Sequence, residues 1–292
     1  MEETLESYCS YLFAIAYRML GSAMDAEDMV QETYLRYQAT PHDSVTSLKA
    51  WLTTILTHLC LNHLQMARST REQYLGPWLP EPISTASSDA LANVERRVDA
   101  YETISLAFLV LLEQLQPVER AVFLLREVFE YDYAEIAAFL DKSEAACRKA
   151  FSRAKHHLGE HRPRLRASLD TQKQLLTAFL QAVQEGSMSA LLHLLAEEVT
   201  FWGDGGGKVA GAPGQPIAGR VAVALFFLET GGSVFRDTLP DDARVELAEV
   251  NRQPALLIRS GAHALFVLTI EVEAGQIRTM RAVANPDKLT HV

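Results

Sequence analysis

The 292 residues, 48% apolar and 22% charged, exclude a disordered chain and leave room for two or more folded domains at roughly 150 residues each. No apolar run is long enough to cross a bilayer, since "ISLAFLVLLEQL" stops after about three turns, and the acidic start "MEETLESY" lacks a charged-then-apolar leader. A cytoplasmic protein without membrane contact is expected, and its net charge of −10 argues against tight unaided binding to duplex DNA.

Up to about Arg71, apolar residues recur at helical spacing, as at Leu12, Ile15, Ala16 and Met19. In "LGSAMDAEDMVQETYLRY", Gly21 ends one helix, Ser22 to Asp25 cap the next, and acids crowd its first turn. A third helix runs through "SLKAWLTTILTHLCLNHLQMA", where the spacing of Trp51 and Ile55 points to core packing of the indole rather than to a stacking platform. Then comes "YLGPWLPEP". Pro77, Pro80 and Pro82 remove backbone donors and hold the chain extended, yet the segment carries Trp78 and Leu79. The following "ISTASSDALANVE" reads as linker.

Helices resume near Glu95. Pro117 fits a first helical turn, Asp132 with Glu135 forms a capping-box pattern, and Ser143 caps the last helix after a tight turn at "DKS". This is a helix-turn-helix. On its last helix Cys147, Phe151, Ala154 and Leu158 share the face expected to meet the core. Lys149, Ser152, Arg153 and His156 occupy the other face, flanked by Arg148 and Lys155, with Lys142 just before the helix. From Lys142 to Arg166 only Glu144 and Glu160 oppose the basic residues. Such a stripe suits phosphate contact and base reading in a major groove, but an acidic protein needs a partner to hold it there.

Beyond Leu169 two helices lead to a strand expected at Val199 to Trp202, then a helix in "GRVAVALFFLE". Three β-rich runs follow, the last a hairpin turned at Ala274 and Gly275. Helices first and antiparallel strands later give an α+β domain. Cys9, Cys60 and Cys147 are read as reduced, buried thiols; Cys60 and His63 have a ligand-like spacing without a second pair, so neither a metal nor a cofactor is expected.

"YLFAIAYRMLGSAMDAEDMVQETYLR", "AWLTTILTHLCLNHL" and the helix-turn-helix together span Tyr11 to Leu158 and resemble the extracytoplasmic-function sigma factors of bacterial RNA polymerase, in the sigma-70 class. The resemblance implies two all-α domains, residues 1–72 gripping core polymerase and opening the minus-ten element and residues 101–166 reading the minus-thirty-five element, joined by a linker over 73–100. By the same resemblance Asp28, Gln31 and Glu32, with Asp25 beside them, face the polymerase clamp. Service as helix-dipole partners is the alternative for these acids. Capture of a single strand falls to the loop "ATPHDSVTS" and to Asn62, His63, Gln65 and Arg68. Relatives often carry an arginine run where this chain reads "NHLQMARSTRE", which implies a weaker grip on the open strand.

Residues 167–292 resemble the SnoaL-like branch of the nuclear-transport-factor-like cone fold. "WLPEP", "WGDGGGK" and "NPDKL" also occur together in a subgroup of these sigma factors with such a tail. The expectation is that Trp78, Leu79, Pro80, Glu81 and Pro82 dock on a surface formed or bordered by Trp202, Asp204, Gly205, Gly206, Gly207, Lys208, Asn285, Pro286, Asp287, Lys288 and Leu289, setting the separation of the DNA-binding domains. The alternative is that Trp78 packs back on the helices beside it. The implied function is an alternative sigma factor regulated by its own tail, with core RNA polymerase and promoter DNA as partners. Other readings make the tail a sensor of a small-molecule ligand, or a cyclase- or isomerase-type enzyme with Asp204 as general base, against which stands a salt-bridged or capped Asp204, with Lys208 four residues on across the glycine loop. The glycines lack the G-K-[ST] ending of a phosphate loop, because Val209 follows Lys208. A one-component regulator acting without polymerase is disfavoured by "DAEDMVQETYLR".

Overall fold

A computed structural model describes residues 5–40, 47–71, 73–85, 104–159, 167–229 and 239–292. They fall into two compact units, one of residues 1–72 with 87–162, the other of residues 73–86 with 163–292. The linker expected at 73–100 is therefore divided, and its first half belongs with the tail.

In the first unit, α1 (Cys9–Leu20), α2 (Ala23–Ala39) and α3 (Leu48–Arg71) pack through Leu12, Ile15, Met19, Val30, Leu52 and Leu56. Gly21 ends α1 at φ 70°, a left-handed conformation that costs a glycine little. Ser22 Oγ then accepts the Asp25 N–H and starts α2. Next come α4 (Leu106–Glu113) and α5 (Pro117–Phe123), which runs on as a π-type turn over Leu124–Val128. Helices α6 (Tyr133–Leu140) and α7 (Glu144–Gly159) complete the unit. The capping box of Asp132 and Glu135 is complete, Asp141 takes the left-handed turn, and Ser143 Oγ accepts the Ala146 N–H. The expected helix-turn-helix is thus formed by α6 and α7.

The two expected helical domains are both present, and side chains cross between them within one compact unit. Tyr11 Oη lies 2.5 Å from Tyr131 Oη, and both approach Thr53 Oγ1, at 3.5 and 3.3 Å. The Lys49 ammonium stands 4.6 Å from the centre of the Tyr11 ring and 5.5 Å from that of Tyr131. Burial first, and then the neighbouring Tyr131, push the Tyr11 phenol well above its ordinary pKa, so it keeps its proton. Arg120 Nη1, from α5, donates to the Met19 carbonyl at 2.6 Å and to Glu113 at 2.9 Å.

In the second unit α8 (Leu169–Gln184) and α9 (Met188–Leu194) are capped by the Ser168 and Ser187 hydroxyls. They lead into β1 (Leu195–Asp204), followed by β2 (Ile217–Ala218), α10 (Arg220–Glu229), β3 (Arg244–Val250), β4 (Gln253–Ser260), β5 (His263–Glu273) and β6 (Gln276–Val283). The sheet order is β2-β1-β6-β5-β4-β3. The helices pack on this sheet through Leu176, Phe179, Phe201, Phe227, Leu268 and Met280, so the α+β class is as expected.

Two details differ from the expectation. The first strand has 10 residues rather than the four from Val199 to Trp202, and it runs parallel to β6, with Phe201 opposite Met280 and Asp204 opposite Val283. The long connection from β1 through β3, β4 and β5 brings the last strand beside the first in the same direction, so the sheet is mixed. Both β3–β4, at Asn251 and Arg252, and β5–β6, at Ala274 and Gly275, turn with positive φ at each central residue. That geometry matches the twist of the paired strands.

Cys60 and Cys147 are buried, whereas Cys9, at the first turn of α1, is exposed and departs from the expectation. Among the described residues no helix is long and apolar enough to cross a membrane.

Candidate functional site

On α7 the inner face is Cys147, Ala150, Ala154 and Leu158, all buried. Phe151 sits at the flank of that face, half-buried and stacked near Phe123 with ring centres 6.1 Å apart. Lys142, Lys149, Ser152 and His156 are exposed, as the helical spacing predicts. Among the described residues, Arg148, Arg153 and Lys155 of the stripe have acidic neighbours. Arg148 pairs with Glu144 and lies 4.6 Å from the Tyr133 ring centre. Arg153 meets Glu119 at 2.6 Å, and Lys155 meets Glu127 at 3.4 Å.

Glu119 and Glu127 were missed in the sequence, because they stand on α5 and its continuation rather than on the basic helix. Glu119 is buried and holds the Arg153 side chain against the protein. Removing that anchor, as in Glu119→Gln, should free Arg153 and strengthen binding to a minus-thirty-five duplex about threefold, the order of a single charge-pair effect. Salt-dependent titration of labelled duplex checks this, with a steeper slope expected for the variant.

On α2, Met24, Asp28, Gln31 and Leu35 recur at helical spacing and are all exposed, Leu35 at 61%. A row that mixes large apolar groups with a carboxylate and an amide differs from a merely solvated face. Glu32 is half-buried and paired with Arg36 at 2.9 Å. Asp25 reaches across to His63 of α3 at 3.2 Å, so a residue expected at polymerase and one expected at DNA touch each other. Asn62 and Gln65 are exposed on α3, and Trp51 is half-buried, edge-on to Tyr37. The Arg68 side chain, loop residues 41–46, the linker from 86 to 103 and residues 160–166 lie outside the described residues.

The most heavily bonded group of expected residues surrounds Asp204, at the end of β1 and 1% exposed. Its Oδ1 accepts the Tyr74 hydroxyl at 2.5 Å and the Gly206 N–H at 3.1 Å. Its Oδ2 accepts the Leu79 N–H at 2.8 Å and Lys288 Nζ at 2.7 Å. Lys288 also donates to the Leu79 carbonyl at 2.6 Å and stands 4.1 Å from the Trp78 ring centre. One acid and one base therefore clasp both backbone groups of Leu79. Burial, and then the Asp204 carboxylate, raise the Tyr74 phenol above its ordinary range, so it remains a donor.

Asp204 is salt-bridged, but not by the lysine nearest in sequence. Lys208 pairs on the surface with Asp287, and the buried partner of Asp204 is Lys288. Gly206, at φ 59°, explains part of the glycine run: a Cβ there would lie 2.4 Å from Asn285 Nδ2 and 3.0 Å from Tyr74 Oη. A Cβ on Gly207 would lie 2.7 Å from Leu75 Cδ1, while the space beside Gly205 is filled by Ala212. Asn285 holds the Tyr74 hydroxyl at 2.9 Å, Pro286 and Asp287 are exposed, and Leu289 is buried.

Within the proline segment Leu79, Pro80, Glu81 and Pro82 are buried and Trp78 is half-buried under Lys288. Trp202 remains 38% exposed, and no described hydrogen bond or ring contact joins it to this segment. The far end is fixed by residues not anticipated: Asn251 Oδ1 accepts the Ile83 N–H at 3.0 Å, the Glu249 carbonyl accepts the Thr85 N–H at 3.2 Å, and the His291 carbonyl accepts the Ser84 N–H at 2.8 Å. Residues 73–85 thus form a strap on the second unit.

The family model of Sigma-70 region 2 matches residues 4–70, and that of Sigma-70, region 4 matches residues 105–158. The chain is 33% identical to the ECF RNA polymerase sigma factor SigJ of Mycobacterium tuberculosis over 98% of this chain and 92% of that one. It is 30% identical to the probable ECF RNA polymerase sigma factor SigI of the same organism over 96% and 91%. The crystal structure of the M. tuberculosis extracytoplasmic function sigma factor SigJ superposes with a TM-score of 0.74 and 31% identity, covering 98% of this chain and 97% of that chain.

Proposed function

Because the chain belongs to the ECF sigma factors of RNA polymerase, alternative sigma factors that join the core enzyme and direct initiation at chosen promoters, we propose that its tail controls initiation by holding the strap between α3 and α4. The observation that carries this is the double grip of Asp204 and Lys288 on Leu79. The strap lies in the chain between the helices assigned to the two promoter elements. Fastening it limits the slack with which those helices can part.

They need to part. Elements named for minus ten and minus thirty-five are about 25 base pairs apart, about 85 Å of duplex at ~3.4 Å per step. A compact unit of about 150 residues has a radius of gyration of only about 15 Å. The closed first unit, tied by Tyr11, Tyr131 and Arg120, therefore suits a resting form, and promoter binding requires those ties to open.

Polymerase contact is assigned to the α2 row of Met24, Asp28, Gln31 and Leu35, with Asp25 and Glu32 at its margins. The exposure of Leu35 beside Asp28 supports this. Strand capture is assigned to Asn62, His63, Gln65 and Arg68. Duplex reading is assigned to Lys142, Lys149, Ser152 and His156, joined by Arg148, Arg153 and Lys155 once their acidic partners release them. The tail acts as a control element rather than a catalyst, since Asp204, the acid considered as a base, has both oxygens committed to hydrogen bonds.

The test is competition for core polymerase followed by run-off transcription. Asp28→Lys combined with Leu35→Asp should weaken core binding at least tenfold, about 1.4 kcal/mol, and abolish run-off product while helix content stays unchanged. Retained binding removes the α2 row from the interface.

A further inference from the structure

The tail carries two adjoining, half-open cavities of about 500 and 420 Å³, each of a size that takes a drug-sized ligand. Phe227, Leu239, Pro240 and Phe266 line both. The smaller cavity rests on a group of rings: Phe201 lies 5.0 Å from Phe226 and 4.9 Å from Phe227, centre to centre. Ala264, Ala282 and Ala284 add small side chains to the same lining.

The charged groups in this lining are already engaged. Asp204 is saturated by four hydrogen bonds, and Lys208 is paired with Asp287 on the surface. An ionised ligand would lose its hydration without finding a counter-charge. A flat, uncharged molecule would meet ring faces and edges, which favour stacked or edge-on partners.

One wall of the cavity is also the seat of the strap. Asp204, Pro286 and Leu289 line the cavity, and Asp204 together with Lys288, within the same C-terminal turn, grips Leu79. Loss of the strap would leave the buried Asp204–Lys288 pair without its backbone partners and loosen that wall. We infer that the smaller cavity binds a neutral, ring-containing apolar small molecule and that its occupancy tightens the docking of the strap. This rests on the tail-control reading for its regulatory meaning. Reciprocity then requires that strap docking strengthen ligand binding by the same factor.

The test uses the purified full chain without polymerase, so its failure is distinguishable from failure of the sigma-factor reading. Nile red, a neutral polycyclic dye, is titrated by fluorescence. The expected result is saturable binding that Ala264→Phe weakens at least tenfold and that a carboxylated analogue of the dye does not reproduce. Hydrogen exchange in a peptide spanning residues 74–85, which includes the Leu79 amide, should slow severalfold at saturation. Lys288→Met should weaken dye binding by the same factor. Ala212→Phe, on the loop at the rim, replaces Ala264→Phe if that variant fails to fold. Absence of saturable binding, equal binding by the blocked variant or by the charged dye, or exchange that is unchanged or faster would each overturn the inference.

Discussion

Lys288→Met is expected to free residues 73–85 from the tail and to lower the stability of the second unit by about 3–5 kcal/mol, the usual penalty for removing one member of a buried ion pair. The loss is large because Asp204, 1% exposed, would be left buried without its cationic partner. The Leu79 carbonyl would lose its donor in the same step. Urea unfolding and protease cutting within the strap measure the two consequences, and run-off transcription reads the third. If holding the strap restrains initiation, product rises; if it supports the active form, product falls; an unchanged yield with a freed strap rejects tail control.

Alkaline titration reaches the same clasp from another side. The Tyr74 phenol has its folded-state pKa raised above the ordinary 10.0 by burial and by Asp204. Its contribution is therefore full below about pH 10 and is lost as pH rises through the higher folded value. Tyr74→Phe should lack this part of the alkaline loss, which a comparison of protease cutting from pH 8 to 11 would reveal.

Arg120→Leu carries the second large effect, about 3 kcal/mol or more from the first unit. Arg120 is 3% exposed and joins α5 to the end of α1 by its bond to the Met19 carbonyl, while Glu113 neutralises it. Leucine would leave a carbonyl and a half-buried carboxylate without that donor. Tyr131→Phe, which removes only a hydroxyl from the Tyr11 pair, should cost about 1 kcal/mol. Denaturant midpoints rank the two variants. Equal midpoints would mean that Arg120 does not tie the helices together. If the closed unit is the resting form, both variants should also bind core polymerase faster, because less is lost on opening.

The features that were legible in the sequence are those governed by neighbours along the chain. Gly21, Ser22, the Asp132–Glu135 box, Ser143 and the Ala274–Gly275 turn each act over four residues or fewer, and all form as expected. The involvement of Leu79, Asp204 and Lys288 in one site was also legible, through the motifs on which the resemblance of the tail rested. Their bonding was not. Lys208 is closer to Asp204 in sequence than Lys288, but the turn at Gly206 and Gly207 directs it to the surface, whereas the parallel pairing of β1 with β6 delivers the C-terminal turn to the carboxylate. The hold of Glu119 on Arg153 depends on how two helices cross, which helical spacing alone does not encode. Asn251 escaped notice because its role lies in a turn that faces the strap only after the sheet has formed.

Ser84 pairs with Val250, while the Ile83 and Thr85 main chains bond to Asn251 and Glu249, so the strap covers one end of the outermost strand. Detachment would bare that stretch of unpaired backbone together with Leu79 and Ile83, the combination from which chains recruit one another into aggregates. A molecule with its strap released would therefore carry a solubility hazard that the strapped molecule does not, and prompt capture by polymerase would shield the cell from it.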